Sequence, residues 1–241
     1  MPGSSRMHSC VTALKSAVRP VVRRTSAIVE PVARPVVTTL QRRDGFFTPE
    51  SFLAQYRAGR FPYAGRWGRI VWKDPEQRAI VPVDERLHIP RSVAKLLRRE
   101  SFEIRYDTAF GEVVRHCATV QGRAVHWTPW LTPEVQRVFL RLHELGYAHS
   151  TEAWRDGRLV GGEFGVTMNG LYCGESTFHL EPNAGKVALA HLAQRLTSRG
   201  YLLHDTQVLS SVSQQFGAYT IPREEYHERL RDALAADVTF V

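Results

Sequence analysis

Glu175 and Ser176 interrupt one apolar run, from Leu171 to Phe178, and Asp205 and Gln207 interrupt another, from Tyr201 to Val208. Side chains alternate across a strand, so Asp205 and Gln207 are expected on one face, and a parallel neighbour brings Glu175 beside them. Two carboxylates and a carboxamide would then converge, groups able to hold an amine and to fix hydrogen bonds around it. The same residues serve equally well as edge or capping groups satisfied locally.

The elements that must position them are legible nearby. Between the two runs, Leu189, Leu192, Ala193 and Leu196 repeat at helical spacing, so 171–207 reads as strand, crossover helix (184–199) and strand. Upstream, 147–155, 158–168 and 171–178 read as three strands joined by the two-residue turns Asp156-Gly157 and Asn169-Gly170. Thr132 and Pro133 open a helix expected to turn Val135, Val138, Phe139, Leu142 and Leu145 inward, and Asp107 is expected to cap one carrying Phe110, Val113, Val114 and Cys117. Thr48 and Pro49 start a short helix with Phe52, Leu53 and Tyr56 on one side. Strands at 69–72 and 78–83 are expected to pair around Asp74-Pro75, and Pro222 opens a last helix that buries Tyr226, Leu230 and Leu234.

The helix after Pro90 is sorted by charge. Arg91, Lys95, Arg98 and Arg99 fall on one face, with Val93, Leu96 and Leu97 opposite. Such a face is either simply solvated or spaced to follow phosphates. Tyr63, Trp67 and Trp72 form an aromatic cluster suited to core packing or to stacking a base.

With 32 basic and 24 acidic residues the chain carries +8, which favours a polyanionic partner. Cys10, Cys117 and Cys173 are odd in number and form no C-x-x-C pair, pointing to a reducing compartment without a disulfide framework. No apolar run is long enough to cross a bilayer. His143 and His149 lack ligand spacing and no H-E-x-x-H occurs, so no metal site is expected. Residues 1–43 are rich in Ser, Val, Pro and Arg, with Glu30 the sole acid of the first 41, and read as a flexible basic extension, an organellar leader or a nucleic-acid tether. The remainder divides into a small N-terminal domain (44–100) with the basic helix and a larger domain (101–241). The fold class is α+β, a meander followed by helix and strand, like the second half of an acetyltransferase-like mixed sheet flanked by helices.

From Asp44 to about Leu234 the chain resembles the leucyl/phenylalanyl-tRNA-protein transferases. The likeness is carried by 140–150 (Leu-Arg-Leu-His-Glu-Leu-Gly-Tyr-Ala-His-Ser), 154–162 (Trp-Arg-Asp-Gly-Arg-Leu-Val-Gly-Gly), 173–176 (Cys-Gly-Glu-Ser), Lys186-Val-Ala-Leu, 205–207 (Asp-Thr-Gln), Phe216-Gly-Ala and Ile221-Pro-Arg. The resemblance implies an enzyme that moves leucine or phenylalanine from charged tRNA onto proteins beginning with Arg or Lys, marking them for degradation. It implies no cofactor beyond the aminoacyl-tRNA co-substrate, a cytoplasmic location and a monomer. Asp205 and Gln207 match the family's catalytic pair and Glu175 its site glutamate; Gln207, oriented by Asp205, would meet the attacking amine while Glu175 holds a cation. Arg91, Lys95, Arg98 and Arg99 would meet the acceptor stem, and Trp130 and Tyr63 would flank the terminal adenosine. Tyr172, Leu189 and Leu192 would line the substrate pocket.

That pocket is apolar in the family, and three aligned positions are polar here: Glu163, Thr177 and His204. A buried unpaired carboxylate is unfavourable, so Glu163 needs a partner such as His204 or a polar group on the ligand. The family's Gly-Gly-Asp-Leu segment between Phe47 and Thr48 is also missing. These departures imply a retained tRNA platform with a changed amino acid or acceptor, the acceptor being a protein N-terminus or a small peptide-like molecule. Two rivals are an acyl-CoA-dependent acetyltransferase, for which Asn183-Ala184-Gly185-Lys186 makes a poor pyrophosphate loop, and a non-catalytic tRNA-binding relative, against which Asp205 and Gln207 speak.

Overall fold

The computed structural model describes residues 47–65, 69–119 and 130–241. The expected basic extension over 1–43, Cys10, Trp67 of the aromatic cluster and Asp44 at the start of the resemblance lie outside them.

Local signals start most elements where they stand in the sequence. Helix α1 (Pro49–Arg57) begins with a reciprocal cap in which the Ser51 amide donates to Thr48 Oγ1 and the Thr48 amide to Ser51 Oγ, both at 3.2 Å. Its buried Phe52 meets Trp72 and Phe139 edge to face, with centroids 5.0 and 5.8 Å apart. Strands β1 (Phe61–Ala64) and β2 (Ile70–Lys73) pair with each other in a two-stranded sheet.

The expected pairing of 69–72 with 78–83 is therefore corrected. Strand β3 (Gln77–Val81) leaves its sequence neighbour and enters the large sheet. Its burial explains why: Arg78, Ala79, Ile80 and Val81 are all 3% exposed or less, and a strand buried on both faces belongs inside a sheet. The sheet thus crosses the boundary expected near residue 100.

After β3 come α2 (Arg91–Arg98), β4 (Glu103–Tyr106), α3 (Phe110–Thr119) and α4 (Pro133–Glu144). Asp107 does not cap α3. It has φ 59° and turns its carboxylate to the Ser150 amide and to His149, while buried Glu152 accepts from the Ala109 amide and the Thr108 hydroxyl at the start of α3. Strands β5 (Ala148–Arg155), β6 (Arg158–Met168) and β7 (Leu171–His179) form the meander, with Asp156, Gly157 and Asn169 at positive φ in its two turns. Helix α5 (Ala184–Arg199) crosses to β8 (Leu203–Gln207), which pairs parallel to β7; α6 (Ser211–Gln215), β9 (Tyr219–Pro222) and α7 (Arg223–Ala235) complete the chain.

The strand order is β4-β5-β6-β7-β8-β3-β9, a mixed sheet. Alternation divides the core between its two faces. Ile80 and Leu159 join the cluster built on α1, α3, α4 and α7, while the adjacent Val81 and Val160 join the one built on α2 and α5. Helix α5 starts tight against β6: a Cβ on Gly161 would meet the Ala184 Cβ at 2.5 Å, so only glycine permits that approach. No helix among the described residues is long and apolar enough to cross a membrane.

Candidate functional site

The site is assembled from behind. Arg78, 1% exposed, gives Nε and Nη2 to the two carboxylate oxygens of Asp205 at 2.9 and 2.5 Å and Nη1 to the Gly59 carbonyl at 2.9 Å. Its guanidinium lies 4.4 Å from the Phe61 ring centroid and 4.3 Å from that of Tyr226. Asp205 also accepts from the Tyr226 hydroxyl at 2.9 Å, the Gln207 amide at 2.8 Å and the Cys173 thiol at 3.7 Å. Every lone pair of this buried carboxylate faces a donor, so it acts as a fixed charge.

Strict alternation does not survive to the end of β8. Asp205 pairs with Ile80 but Gln207 with the adjacent Ala79, a bulge that sends the two side chains to different neighbours. Gln207 sits at φ 66°, and its side-chain amino group donates to the Gly174 carbonyl at 3.0 Å and to Glu175 Oε1 at 3.1 Å. The link from Asp205 to Gln207 runs through the backbone amide, while Glu175 and Gly174 orient the carboxamide. Glu175 Oε1 also accepts from the Tyr56 hydroxyl at 2.9 Å, and Glu175 Oε2 is buried with no hydrogen-bond partner among the described residues. Desolvation pushes the Glu175 carboxyl up to about 8.

Gln207 and Glu175 open onto a cleft of about 930 Å³. Of the residues expected at the site, Glu163, Thr177, His204, Leu189 and Trp130 also line it. Asp205 and Tyr172 stand behind the wall, Leu192 is buried in the core beside Tyr172, and Tyr63 lies on β1 under the Lys73 ammonium, 3.5 Å from its ring centroid, outside the lining. The partner of Glu163 is Tyr172, whose hydroxyl donates to it at 2.7 Å, and not His204. Burial pushes Glu163 up to about 8 and His204 down to about 4, and His204 Nδ1 is buried with no hydrogen-bond partner among the described residues. At the start of α5 the Ala184 amide is already bonded to the Glu181 carbonyl, weakening any phosphate cradle there.

Helix α2 buries Val93 and packs on α5 through its apolar side. Arg91, Lys95, Arg98 and Arg99 are exposed, and none of the four forms an ion pair with a described residue. The fold also brings together two histidines that their sequence spacing did not join: ligand atoms of Asp107, His143 and His149 lie within 4.8 Å of one another. These atoms have structural partners, His149 Nδ1 on Asp107 at 2.7 Å and His143 Nδ1 on the Ala148 carbonyl at 2.8 Å.

Arg78, Tyr56, Tyr226 and Gly174 were not singled out by the sequence reading. For Arg78 there was a signal, a charge within an apolar strand, which demands a buried partner.

The family model described as "Leucyl/phenylalanyl-tRNA protein transferase" matches residues 80–231. Curated relatives carrying the name leucyl/phenylalanyl-tRNA–protein transferase include proteins of Nitratidesulfovibrio vulgaris (strain DP4), 43% identical over 78% of this chain and 80% of the relative, and Herpetosiphon aurantiacus, 42% identical over 80% and 97%. One from Phenylobacterium zucineum is 44% identical over 80% of this chain and 87% of its own. The matched residues include Asp205, Gln207, Glu175 and the residues that line the cleft, and the chain belongs to the leucyl/phenylalanyl-tRNA protein transferase family.

Proposed function

We propose that the protein forms a peptide bond between the amino acid of a charged tRNA and the free α-amine of an acceptor, by aminolysis of the aminoacyl ester. The observation that carries this reading is the anchored carboxamide of Gln207. Its amino group is committed to Gly174 and Glu175, so its oxygen is the atom offered to an attacking N–H.

An α-amine titrates at about 7.7 to 8.0 and must attack in its neutral form. A C–N bond forms at the ester carbonyl, the C–O bond to the ribose breaks, and the amine's proton ends on the departing ribose oxygen. An amide is no base, so that proton passes through water or the vicinal ribose hydroxyl, and Gln207 contributes by holding the amine in line. Glu175 Oε2, which no described residue bonds, is the atom offered to the cationic part of the acceptor, in family terms the basic first residue of a protein; burial holds this carboxyl up at about 8, and an arriving cation favours its charged form, so charge and acceptor come together. Asp205 touches neither substrate and is a positioning residue. The ester carries its own leaving group, so the reaction as written calls on aminoacyl-tRNA as co-substrate and on no cofactor. The exposed cations of α2 are suited to the phosphates of the acceptor arm. We read the mixed sheet, with its parallel β7–α5–β8 unit beside the cleft, as acetyltransferase-like.

The test is Gln207→Ala, assayed for transfer of labelled amino acid from charged tRNA to a peptide with N-terminal Arg. Loss of alignment at the attacking amine predicts a fall of about 100-fold or more in the rate at saturating substrates, measured where the variant is fully folded. A rate near that of the unmodified protein would remove Gln207 from the reaction.

A further inference from the structure

Beside Gln207 the floor of the cleft is polar, and the polarity is built in by the sheet. Glu163 and Thr177 are direct cross-strand partners on β6 and β7, and Tyr172 and His204 are direct partners on β7 and β8. Glu163, Thr177 and His204 line the cleft, and Tyr172 holds Glu163 from behind. The floor adjoins the reactive end through Gly174. Its carbonyl anchors Gln207, and the place of its missing Cβ is 4.0 Å from His204 Nε2.

Glu163 and His204 are each 2% exposed, and neither is used in the aminolysis derived above. Tyr172 donates to one oxygen of Glu163, and no described residue bonds the buried His204 Nδ1. Burying such groups without partners is unfavourable, and packing an aliphatic or phenyl side chain against them makes it permanent. A ligand carboxylate would place a second buried acid beside Glu163, where at most one of the two can ionise. What satisfies the floor is a group that exchanges hydrogen bonds with a carboxyl and an imidazole at once: a hydroxyl, carboxamide, imidazole or amine.

Resting on the aminoacyl-transfer reading, we propose that this floor receives the side chain of the amino acid carried by the tRNA, and that this side chain is polar and not acidic. Glu163 and His204 are the residues that select it. The acceptor is served separately, at Glu175, whose Oε2 is bonded by no described residue. The direction of titration agrees with this assignment, since burial leaves Glu163 as the neutral acid and His204 as the neutral base at pH 7, each both donor and acceptor.

The experiment uses the full chain and two readouts. In the first, 3′-aminoacylamido-3′-deoxyadenosines, stable mimics of the charged tRNA end, carry Gln, Ser, His, Lys, Leu, Phe or Glu side chains, and their affinities are compared directly. In the second, tRNAs charged with the same amino acids are assayed for transfer to the Arg-starting peptide, with the unmodified protein and with the double variant Glu163→Met, His204→Ile. A site that hydrogen-bonds its ligand's side chain discriminates steeply against analogues lacking it, so a polar, non-acidic mimic is expected to bind at least about tenfold tighter than the Leu and Phe mimics. The double variant reverses that order. The proposal is overturned if Leu or Phe binds as tightly as every polar mimic, if no mimic binds, or if the double variant changes the preference for the acceptor's first residue and leaves the amino-acid preference intact. Transfer of leucine or phenylalanine as the best substrates would overturn the polar pocket and leave the transfer reading standing. Selective binding of a polar mimic without transfer from any charged tRNA would do the reverse.

Discussion

Replacing Arg78 by methionine keeps most of the side-chain volume and removes the charge, leaving Asp205 as an uncompensated carboxylate at 0% exposure. Removal of one partner from a buried, bidentate ion pair destabilises by about 3–5 kcal/mol, a large share of the ~5–15 kcal/mol that holds a typical native protein together. The structure favours the upper part of that range. Arg78 also ties β3 to the Gly59 carbonyl and packs between Phe61 and Tyr226, so strand, turn and α7 lose a common link. Urea unfolding read by circular dichroism gives the stability change, and Asp205→Asn with the double variant completes a cycle. Because the second substitution removes the stranded charge, the double variant should be more stable than the sum of the two losses by at least about 1 kcal/mol, well outside the ~0.5 kcal/mol scatter of independent sites. Arg78→Lys should fall between, since an ammonium cannot reproduce two parallel bonds to one carboxylate. A loss below about 1 kcal/mol for Arg78→Met, or strict additivity in the cycle, would refute the claim that this pair holds the site together.

Replacing Lys95 and Arg98 by glutamate should weaken binding of charged tRNA without moving the unfolding midpoint, because both side chains are exposed; each phosphate that is no longer neutralised should flatten the log-affinity against log-salt slope by about 0.7–0.9, and an unchanged slope would detach α2 from the tRNA. A pH dependence of stability follows from Glu163, whose folded carboxyl lies at about 8 against 4.5 for the free group. Between those values the folded state keeps a proton that the unfolded state releases, so this contribution to stability is whole below about pH 4.5 and is lost as pH rises toward 8, at no more than about 1.4 kcal/mol per pH unit. Glu163→Gln lacks that term: in urea titrations its stability relative to the unmodified protein should improve with rising pH and level off above about 8. A constant difference across the range would show that Glu163 is not desolvated as described.

What the sequence announces and what it hides divide along the range of the interactions. The Thr48 and Thr132 caps, the Asp156-Gly157 and Asn169-Gly170 turns and the β7–α5–β8 crossover depend on residues close together in the chain, and each stands where its pattern put it. Glu175, Asp205 and Gln207 came together because a parallel pair places β7 beside β8. The fate of β3 was hidden because pairing of 78–83 with the preceding strand and insertion between β8 and β9 demand the same apolar run. The five-residue α6 and four-residue β9 are too short to show a period. Tyr56 and Tyr226 reach Glu175 and Asp205 from 119 and 21 residues away, and nothing local to either tyrosine marks it as a site residue.

The bulge in β8 gives the buried cluster its purpose. A non-glycine residue in the left-handed region is held there at roughly 1–3 kcal/mol, and Gln207 occupies that conformation with its amide bonded to Asp205 Oδ1. A single hydrogen bond to a charged group contributes about 1.5–3 kcal/mol, enough to offset the strain only while the acceptor stays ionised and fixed. Asp205 is held in place because Arg78, Tyr226 and Cys173 occupy its remaining lone pairs. A carboxylate so saturated has no room to take a proton from an amine or to touch an ester. Its influence on the chemistry must pass through the backbone it holds, and Asp205→Asn should therefore lower transfer by displacing Gln207, a loss that raising the pH does not restore; the Glu175 carboxyl, which the Asp205 charge helps to hold up, should titrate lower in the same variant. Recovery of full transfer at high pH would mean that Asp205 itself takes a proton from the attacking amine.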